Sequence, residues 1–127
     1  LMYNNNKRKY FNKKNTFRRP WGKYTNLFYG NNFLIKELYV KSNGILSLQK
    51  HFYRSEHWVV IQGTPRITLN SKSFSKKVNE TIYIPQGSIH RIQNPNKKPV
   101  KIMEVQIGKI LKESDIVRYE DVYGRVN

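Results

Sequence analysis

Short segments rich in β-branched and aromatic residues, each followed by a turn signal, run through most of this sequence. Such residues fit the pleated, half-buried surface of a sheet, and the glycine, asparagine and proline between the segments favour tight turns. Many short strands at this spacing predict an antiparallel sandwich or barrel. The predicted strands are residues 24–29, 33–40, 45–53, 57–62, 66–69, 81–84, 90–93 and 100–107. A helix is predicted only over residues 112–119, where Ser114 and Asp115 are typical N-cap residues.

The alternation of side chains along residues 45–53 predicts a polar interior, because successive strand residues point to opposite faces of a sheet. One face carries Ser47, Gln49, His51 and Tyr53, and the other carries Leu46, Leu48, Lys50 and Phe52. A polar face built from Gln, His and Tyr rather than Lys and Glu suits a pocket inside a barrel. The opposite face is mostly apolar and needs a cover. We therefore predict a homodimer that buries Leu46, Leu48 or Phe52.

Positive charge is concentrated near the start of the chain. The 127 residues have a net charge of +16, and the first nineteen hold seven Lys and Arg and no acidic residue. We predict a basic, flexible arm at residues 1–18 and one folded domain at residues 19–127. The charge is compatible with a nucleic-acid partner or with a Lys- and Asn-rich codon bias. No nucleic-acid-binding module is recognisable, so no such partner is expected.

Other features of the composition exclude whole classes of protein. The sequence has no cysteine, which excludes disulfides and thiolate zinc sites. No apolar run approaches the roughly 18–20 residues of a membrane helix, and no apolar core of a signal peptide is present. We therefore expect a cytoplasmic protein that has no membrane partner.

Two histidines and a glutamate are candidate metal ligands. Imidazole and carboxylate groups at His51, Glu56 and His90 would suit a divalent first-row metal. Their spacing alone leaves a second interpretation open, since histidines in a chain of this size are often hydrogen-bonded structural groups.

Two motifs around these residues resemble the cupin signature. Residues 51–56, followed after six residues by Gly63, resemble the first cupin motif. Residues 85–90, with Pro85, Gly87 and His90 followed after three residues by Asn94, match the second. Further segments resemble the type II mannose-6-phosphate isomerase cupin, which in many relatives is the C-terminal domain of a mannose-1-phosphate guanylyltransferase/isomerase. These segments are residues 19–22, 46–49, 54–60, 84–85, 90–91, 104–106 and 115–125.

The resemblance implies an all-β cupin double-stranded β-helix, that is, a jelly-roll barrel. It implies interconversion of mannose 6-phosphate and fructose 6-phosphate, with a sugar phosphate as substrate and one zinc-like divalent metal ion as cofactor. The nucleotidyltransferase domain of the longer relatives is not in this sequence, so guanylyl transfer is not expected. The alternative function is a non-catalytic cupin that binds a sugar or a nucleotide sugar and assists a separate guanylyltransferase.

The same resemblance implies roles for individual residues. The metal ligands would be Gln49, His51, Glu56 and His90. The family usually has three consecutive histidines where this sequence has His51-Phe52-Tyr53, so Tyr53 is interpreted as the replacement of a ligand histidine. This departure leaves open whether the site still holds metal. The residues themselves, rather than the resemblance, nominate Tyr53, His57 and Glu104 for proton transfer. In the same way they nominate Lys50, Arg54, Arg66, Arg91 and Gln106 for substrate binding, the Lys and Arg residues for its phosphate.

Overall fold

A computed structural model describes residues 9–10, of which only the backbone is considered, and residues 15–125. These residues form antiparallel strands and turns and contain no α-helix. The strands are β1 (Lys9–Tyr10), β2 (Thr16–Arg19), β3 (Gly22–Gly30), β4 (Phe33–Val40), β5 (Leu48–Lys50), β6 (Ser55–Gln62), β7 (Arg66–Leu69), β8 (Lys72–Ser75), β9 (Thr81–Ile84), β10 (His90–Gln93), β11 (Val100–Ile107) and β12 (Val117–Glu120).

The strands form two sheets. A seven-stranded sheet has the order β1-β3-β4-β11-β6-β9, and β2 also pairs with β3. A five-stranded sheet has the order β12-β5-β10-β7-β8. The core contains side chains from both sheets, including Trp58 and Ile102 from the first and Ile67 and Ile92 from the second. Burial along β6 and β11 alternates residue by residue, so each strand of the larger sheet has one inward and one outward face.

The second motif forms the turn that leads into β10. The amide of Ser88 donates to the carbonyl of Pro85 at 3.1 Å, and Gly87 adopts a φ of 81°, which favours glycine. Asn94 is fully buried, and its Nδ2 donates to the carbonyls of Val40, at 3.1 Å, and Lys98, at 2.8 Å. The proline, glycine and asparagine of the motif therefore shape the backbone, and the histidine side chain points into the barrel interior.

The predicted strand over residues 45–53 is only partly correct. Regular pairing is limited to β5, and Ile45 makes only an isolated bridge to Gln93. At the other end the chain bends at Phe52 and Tyr53, whose amides donate to the carboxylate of Asp115 at 2.8 and 3.0 Å. Alternation therefore fails outside β5: Leu46, expected to point outward, is 6% exposed and lies in the core.

The predicted helix over residues 112–119 is wrong. A turn is followed by β12, which pairs with β5 in the five-stranded sheet. Asp115 does not cap a helix, because its carboxylate already binds the amides at the bend after β5. The sequence prediction also omitted β8 and the strand β2, which overlaps the end of the predicted arm. The division into an arm and a domain stays a prediction, and most of the arm lies outside the described residues.

Within residues 9–10 and 15–125, no helix has the length and apolar character needed to cross a membrane.

Candidate metal centre

A cavity of about 70 Å³ lies inside the barrel. Both sheets contribute to its wall, and the segment around β12 completes it. The wall combines apolar side chains such as Trp58 with many ionisable ones. The polar and charged residues of the wall are Arg19, Lys36, Ser47, Gln49, His51, Arg54, Glu56, His90, Glu104, Glu113, Arg118 and Arg125.

His51, Glu56 and His90 come together in this cavity. One ligand atom from each lies within 4.8 Å of the others, and all three residues are buried. The topology explains the proximity: β10 pairs with β5 so that His90 lies opposite Gln49, and Glu56 points inward from β6. His51 follows β5 directly, and its ring lies 4.9 Å from that of His90.

Backbone carbonyls orient both imidazole rings. Nδ1 of His51 contacts the carbonyl of Asp115 at 2.6 Å, and Nδ1 of His90 contacts the carbonyl of Ser88 at 3.0 Å. A carbonyl can only accept, so each Nδ1 carries the proton and each Nε2 has a lone pair. Carbonyl partners of this kind commonly orient histidines that bind metals.

The donor set fits a divalent metal ion. The buried Nε2 of His90 has no hydrogen-bond partner among the described residues, and a buried polar atom without a partner is rare. Two imidazole nitrogens and a carboxylate are ligands typical of zinc and similar ions. Gln49 lines the same cavity and could add an amide oxygen.

A buried guanidinium balances the charge of Glu56. Nε of Arg54 donates to Oε2 of Glu56 at 2.8 Å, and Nη2 donates to Nε2 of His51 at 3.1 Å. The other carboxylate oxygen accepts from Nε1 of Trp58 at 2.9 Å. Arg54 therefore contacts two of the three candidate metal ligands, although the sequence nominated it for binding the substrate phosphate.

The electrostatic environment keeps the histidines neutral and Glu56 ionised. Burial lowers the pKa of His51 to about 4 and also lowers the pKa of His90. Burial alone would raise the pKa of Glu56, but the charge of Arg54 outweighs it and holds this pKa below its ordinary value. Neutral imidazole and ionised carboxylate are the forms that bind metal.

Glu104 lies in the same cavity, but its pKa is raised, whereas that of Glu56 is lowered. Burial, together with the negative charge of Glu56, raises the pKa of Glu104 to about 8. Its Oε2 accepts a hydrogen bond from Nε2 of Gln106 at 2.6 Å. Glu104 therefore carries a proton at neutral pH while Glu56 does not. Two carboxyl groups with separated pKa values are typical of sites that transfer protons.

Three arginines line another part of the wall. Arg19 comes from β2, Arg118 from β12 and Arg125 from the segment after β12. Burial lowers the pKa of Arg118, and the positive charge of Arg125 lowers it further. Nε of Arg125 donates to Asp121 at 2.7 Å. The cavity wall therefore holds three guanidinium groups, of which that of Arg125 is already paired with a carboxylate.

Comparison with known families agrees with this architecture. The family model described as mannose-6-phosphate isomerase C-terminal matches residues 5–121. The chain belongs to this family. The assignment covers nearly all of the described barrel, including both motifs, Arg19 and Arg118, and it ends before Arg125.

The mannose-6-phosphate isomerase C-terminal family includes curated relatives that are much longer than this chain. The alginate biosynthesis protein AlgA of Pseudomonas aeruginosa is 49% identical over 107 residues, which are 84% of this chain and 22% of that protein. The mannose-1-phosphate guanylyltransferase ManC of Salmonella typhimurium is 47% identical over 108 residues, 85% of this chain and 22% of that protein. The chain thus spans about a fifth of the length of these relatives.

Solved structures agree on the fold. A double-stranded β-helix protein from Klebsiella pneumoniae superposes with a TM-score of 0.68 at 12% identity, covering 94% of this chain and 92% of that one. The cupin domain of Schizosaccharomyces pombe Cnp3 superposes with a TM-score of 0.63 at 19% identity, covering 68% and 64%. The prediction of an all-β cupin double-stranded β-helix is therefore confirmed.

The structure separates the residues nominated from sequence into two groups. Those that line the cavity are Gln49, His51, Arg54, Glu56, His90 and Glu104. Gln106 is fully buried and binds Glu104. Outside the cavity lie the exposed Tyr53, His57 and Arg66, together with Lys50 and Arg91. The ammonium of Lys50 lies 4.9 Å from the ring centre of Phe52, and Arg91 pairs with Glu120 at 2.8 Å.

The position of Tyr53 corrects one interpretation. Its side chain is 54% exposed and follows the bend after β5, away from the cavity wall. The residue near His51 that reaches the cavity is Gln49, two positions before it. Tyr53 therefore does not occupy a ligand position, and its presence gives no reason to expect a weakened site.

The sequence interpretation missed several charged residues of the wall. Arg19, Arg118 and Arg125 lie in segments whose similarity to the family was visible but had no assigned role. Lys36 and Glu113 form a pair at 2.5 Å, with Lys36 buried, and neither was nominated. Only the inward orientation of β4 could have revealed Lys36, since a buried lysine has no local sequence signature.

Proposed function

We propose that this chain is a metal-dependent isomerase domain that interconverts mannose 6-phosphate and fructose 6-phosphate and thereby serves polysaccharide synthesis. The observation that carries the proposal is one cavity with two different chemistries. It contains the buried group of His51, Glu56 and His90, with the unpartnered Nε2 of His90, and it contains three arginines. A ligand that is a polar sugar at one end and an anion at the other fits this arrangement.

His51, Glu56 and His90, with Gln49 as a further donor, would hold one divalent ion of the zinc type. Such an ion, when bound, polarises sugar carbonyl and hydroxyl oxygens and stabilises the negative charge that develops on them. The protein's own contribution is to keep the two imidazoles neutral and correctly oriented, through the carbonyls of Asp115 and Ser88.

The arginines would bind the phosphate group of the substrate. Guanidinium forks match phosphate oxygens and bind them through paired hydrogen bonds. Arg19, Arg118 and Arg125 all line the cavity wall. Binding of the phosphate would hold the sugar in one orientation relative to the buried ligand group.

Glu104 is the nominated proton-transfer residue that the cavity supports. Aldose–ketose isomerisation moves a proton between adjacent carbons of the sugar and another between their oxygens, so a group that can give and regain a proton is needed. A carboxyl group with a pKa near 8 is suited to this task. Tyr53 and His57 are both exposed away from the cavity, which argues against either as the proton carrier.

The non-catalytic alternative depended on Tyr53 as a lost ligand. Since Tyr53 is 54% exposed and away from the cavity wall, no specific observation now favours that alternative.

The test is a turnover assay on the full chain. The protein is stripped with a chelator, reloaded separately with Zn²⁺, Co²⁺ or Mn²⁺, and given mannose 6-phosphate. We expect fructose 6-phosphate with at least one metal and none with the stripped protein. We expect Arg118→Gln to raise KM about tenfold or more without changing metal content, whereas Arg66→Gln, on the exposed part of β7, leaves both unchanged. Binding of the sugar phosphate without turnover would overturn the isomerase proposal.

A further inference from the structure

The cavity inside the barrel is too small for a sugar phosphate. Its volume is about 70 Å³, which corresponds to roughly two water molecules at about 30 Å³ each. Pockets that bind small molecules typically have volumes of about 300–1,000 Å³. Part of the cavity wall must therefore move before such a substrate can enter.

Residues 109–114, between β11 and β12, form a part of the wall that can move without disturbing either sheet. We call them the entry segment, and they contain neither helix nor strand. Both ends are anchored, since the amide of Gly108 has a backbone partner at 3.0 Å and the carboxylate of Asp115 binds two amides after β5. Between these anchors, Glu113 lines the cavity.

An ion pair joins the entry segment to the inside of the barrel. Nζ of Lys36 donates to Oε2 of Glu113 at 2.5 Å. Burial alone would raise the pKa of Glu113, but the charge of Lys36 outweighs it and holds this pKa below its ordinary value. Glu113 is therefore ionised at neutral pH.

The two partners of this ion pair differ in their exposure to solvent. The side chain of Lys36 is 4% exposed and that of Glu113 is 55% exposed. A buried ammonium without a counter-charge is costly, whereas the carboxylate of Glu113 can be hydrated once it leaves the pair. Glu113 is thus the partner that can be exchanged, provided that another anion takes its place on Lys36.

Lys36 is close both to an arginine of the cavity and to the nominated proton-transfer residue. Its Nζ lies 4.2 Å from the ring centre of Tyr24, whose hydroxyl accepts from Nη2 of Arg19 at 3.2 Å. On the other side, Lys36 is directly opposite Glu104 where β4 pairs with β11, and both side chains are buried. An anion bound to Lys36 would therefore lie in the part of the cavity that contains Arg19 and Glu104.

We infer that the carboxylate of Glu113 occupies the position of the substrate's phosphate on Lys36, and that the substrate enters by displacing it. The identity of the ligand rests on the proposed function. Lys36 is then a further phosphate-binding residue, and Glu113 is its internal competitor. A phosphate monoester carries more negative charge than a carboxylate and has three acceptor oxygens, so it can replace Glu113 on the ammonium. The displacement also releases the entry segment and enlarges the cavity.

The first experiment measures binding of inorganic phosphate to the chelator-treated full chain by titration calorimetry, which requires neither metal nor turnover. Glu113→Gln removes the competing charge and should lower the dissociation constant about tenfold, whereas Lys36→Met should raise it by a similar factor. Glu120→Gln is the matched control, because Glu120 is 63% exposed and pairs at 2.8 Å with Arg91, outside the cavity. It removes the same charge and should leave phosphate binding unchanged.

The second experiment follows trypsin cleavage after Lys109, which is exposed at the start of the entry segment. Phosphate should speed this cleavage at least about threefold in the wild type, because displacement of Glu113 frees the segment. It should have less effect in Glu113→Gln, where the ion pair is already absent. Cleavage after Lys77, in the exposed loop between β8 and β9, is the internal control and should not depend on phosphate.

Two results would overturn the competition between Glu113 and phosphate. One is an equal phosphate affinity of Glu113→Gln and the wild type, and the other is an equal tightening by Glu120→Gln, which would attribute the effect to net charge. A rate of cleavage after Lys109 that does not change with phosphate would contradict release of the entry segment. Circular dichroism checks the folding of each variant, and if Lys36→Met does not fold, the two Gln variants still decide.

These outcomes are separate from those of the turnover assay. If fructose 6-phosphate forms but Glu113→Gln does not bind phosphate more tightly, the isomerase proposal stands and Glu113 is not a competitor. If Glu113→Gln binds phosphate more tightly but no metal supports turnover, the competition stands and the isomerase proposal is overturned.

Discussion

Along β4, β11 and β6 the inward side chains include Lys36, Glu104 and Glu56, whereas the outward side chains of the same strands include Ile35, Val105 and Val59. At this end of the barrel the ionisable groups are inside and the aliphatic groups outside, the reverse of an ordinary half-buried sheet. Buried ionisable groups are costly unless they are paired or neutralised. Their presence on the inward face therefore indicates a site, whereas the outward face carries aliphatic groups such as Val59, which is 39% exposed.

The inward ionisable groups avoid an unpaired buried charge either by forming an ion pair or by being neutral. Lys36 pairs with Glu113 at 2.5 Å, and Glu56 with Arg54 at 2.8 Å. Glu104 instead keeps its proton, because burial raises its pKa to about 8. The outward side chains need no such arrangement. Equivalent substitutions on the two faces should therefore have very different effects.

The largest difference is expected between Glu56→Gln and Glu37→Gln. The inward substitution removes a candidate ligand and leaves Arg54 buried without its counter-charge. We expect at least a ~100-fold loss of Zn²⁺ affinity and of isomerase activity, and a fall of about 3 kcal/mol in the free energy of unfolding of the metal-free protein. Glu37→Gln should change this free energy by less than about 0.5 kcal/mol. Titration calorimetry and urea denaturation measure both; equal effects on the two faces would remove the contrast between them.

A second expectation concerns the pH dependence of stability. Glu104 binds its proton more tightly in the folded chain, with a pKa of about 8, than in the unfolded chain, near 4.5. The folded state therefore holds more protons between these values, and its stability falls as the pH rises through them. Glu104→Gln removes this fall. The free energy of unfolding of the variant should therefore increase relative to that of the wild type, by an amount on the order of a few kcal/mol above pH 8 and by little below pH 4.5.

Urea denaturation of the chelator-treated proteins across this pH range gives the comparison. Glu37→Gln again serves as the outward control. If the difference in the free energy of unfolding between Glu104→Gln and the wild type is constant across this pH range, Glu104 does not carry a raised pKa.

The smallest effect is expected for Tyr53→His. The side chain is exposed and lies after the bend that follows β5, so an imidazole there would not reach His51 or His90. We expect the metal content per chain after equal dialysis to match the wild type, as measured by elemental analysis, whereas His90→Ala should lower it. A higher metal content in Tyr53→His would place residue 53 at the centre after all.

Much of the barrel could be predicted from local patterns. Alternating β-branched residues located most of the strands, including β4 and β11 with the observed bounds. The turn from Pro85 to Gly87 depends on the conformational preferences of those residues themselves, so the sequence could predict that His90 points into the barrel. The grouping of His51, Glu56 and His90 followed from the two motifs.

Long-range contacts decided the rest. Asp115 binds the backbone of Phe52 and Tyr53, and this contact ends β5, turns Tyr53 outward and prevents the predicted helix. No local pattern reveals that partner, because the residues lie far apart in the chain. Once β5 ended early, alternation no longer assigned Leu46 to the correct side.

By itself the sequence determined the strand pattern, the tight turns and the residue types available for metal binding, since these depend on the conformational preferences of neighbouring residues. The tertiary structure alone decided which face of each long strand is inward, and it alone brought Arg19, Arg118 and Arg125 to one cavity from opposite ends of the chain. The physical reason is that the backbone of a strand does not favour either of its two faces as the inner one. Only the packing of one sheet on the other makes one face the interior.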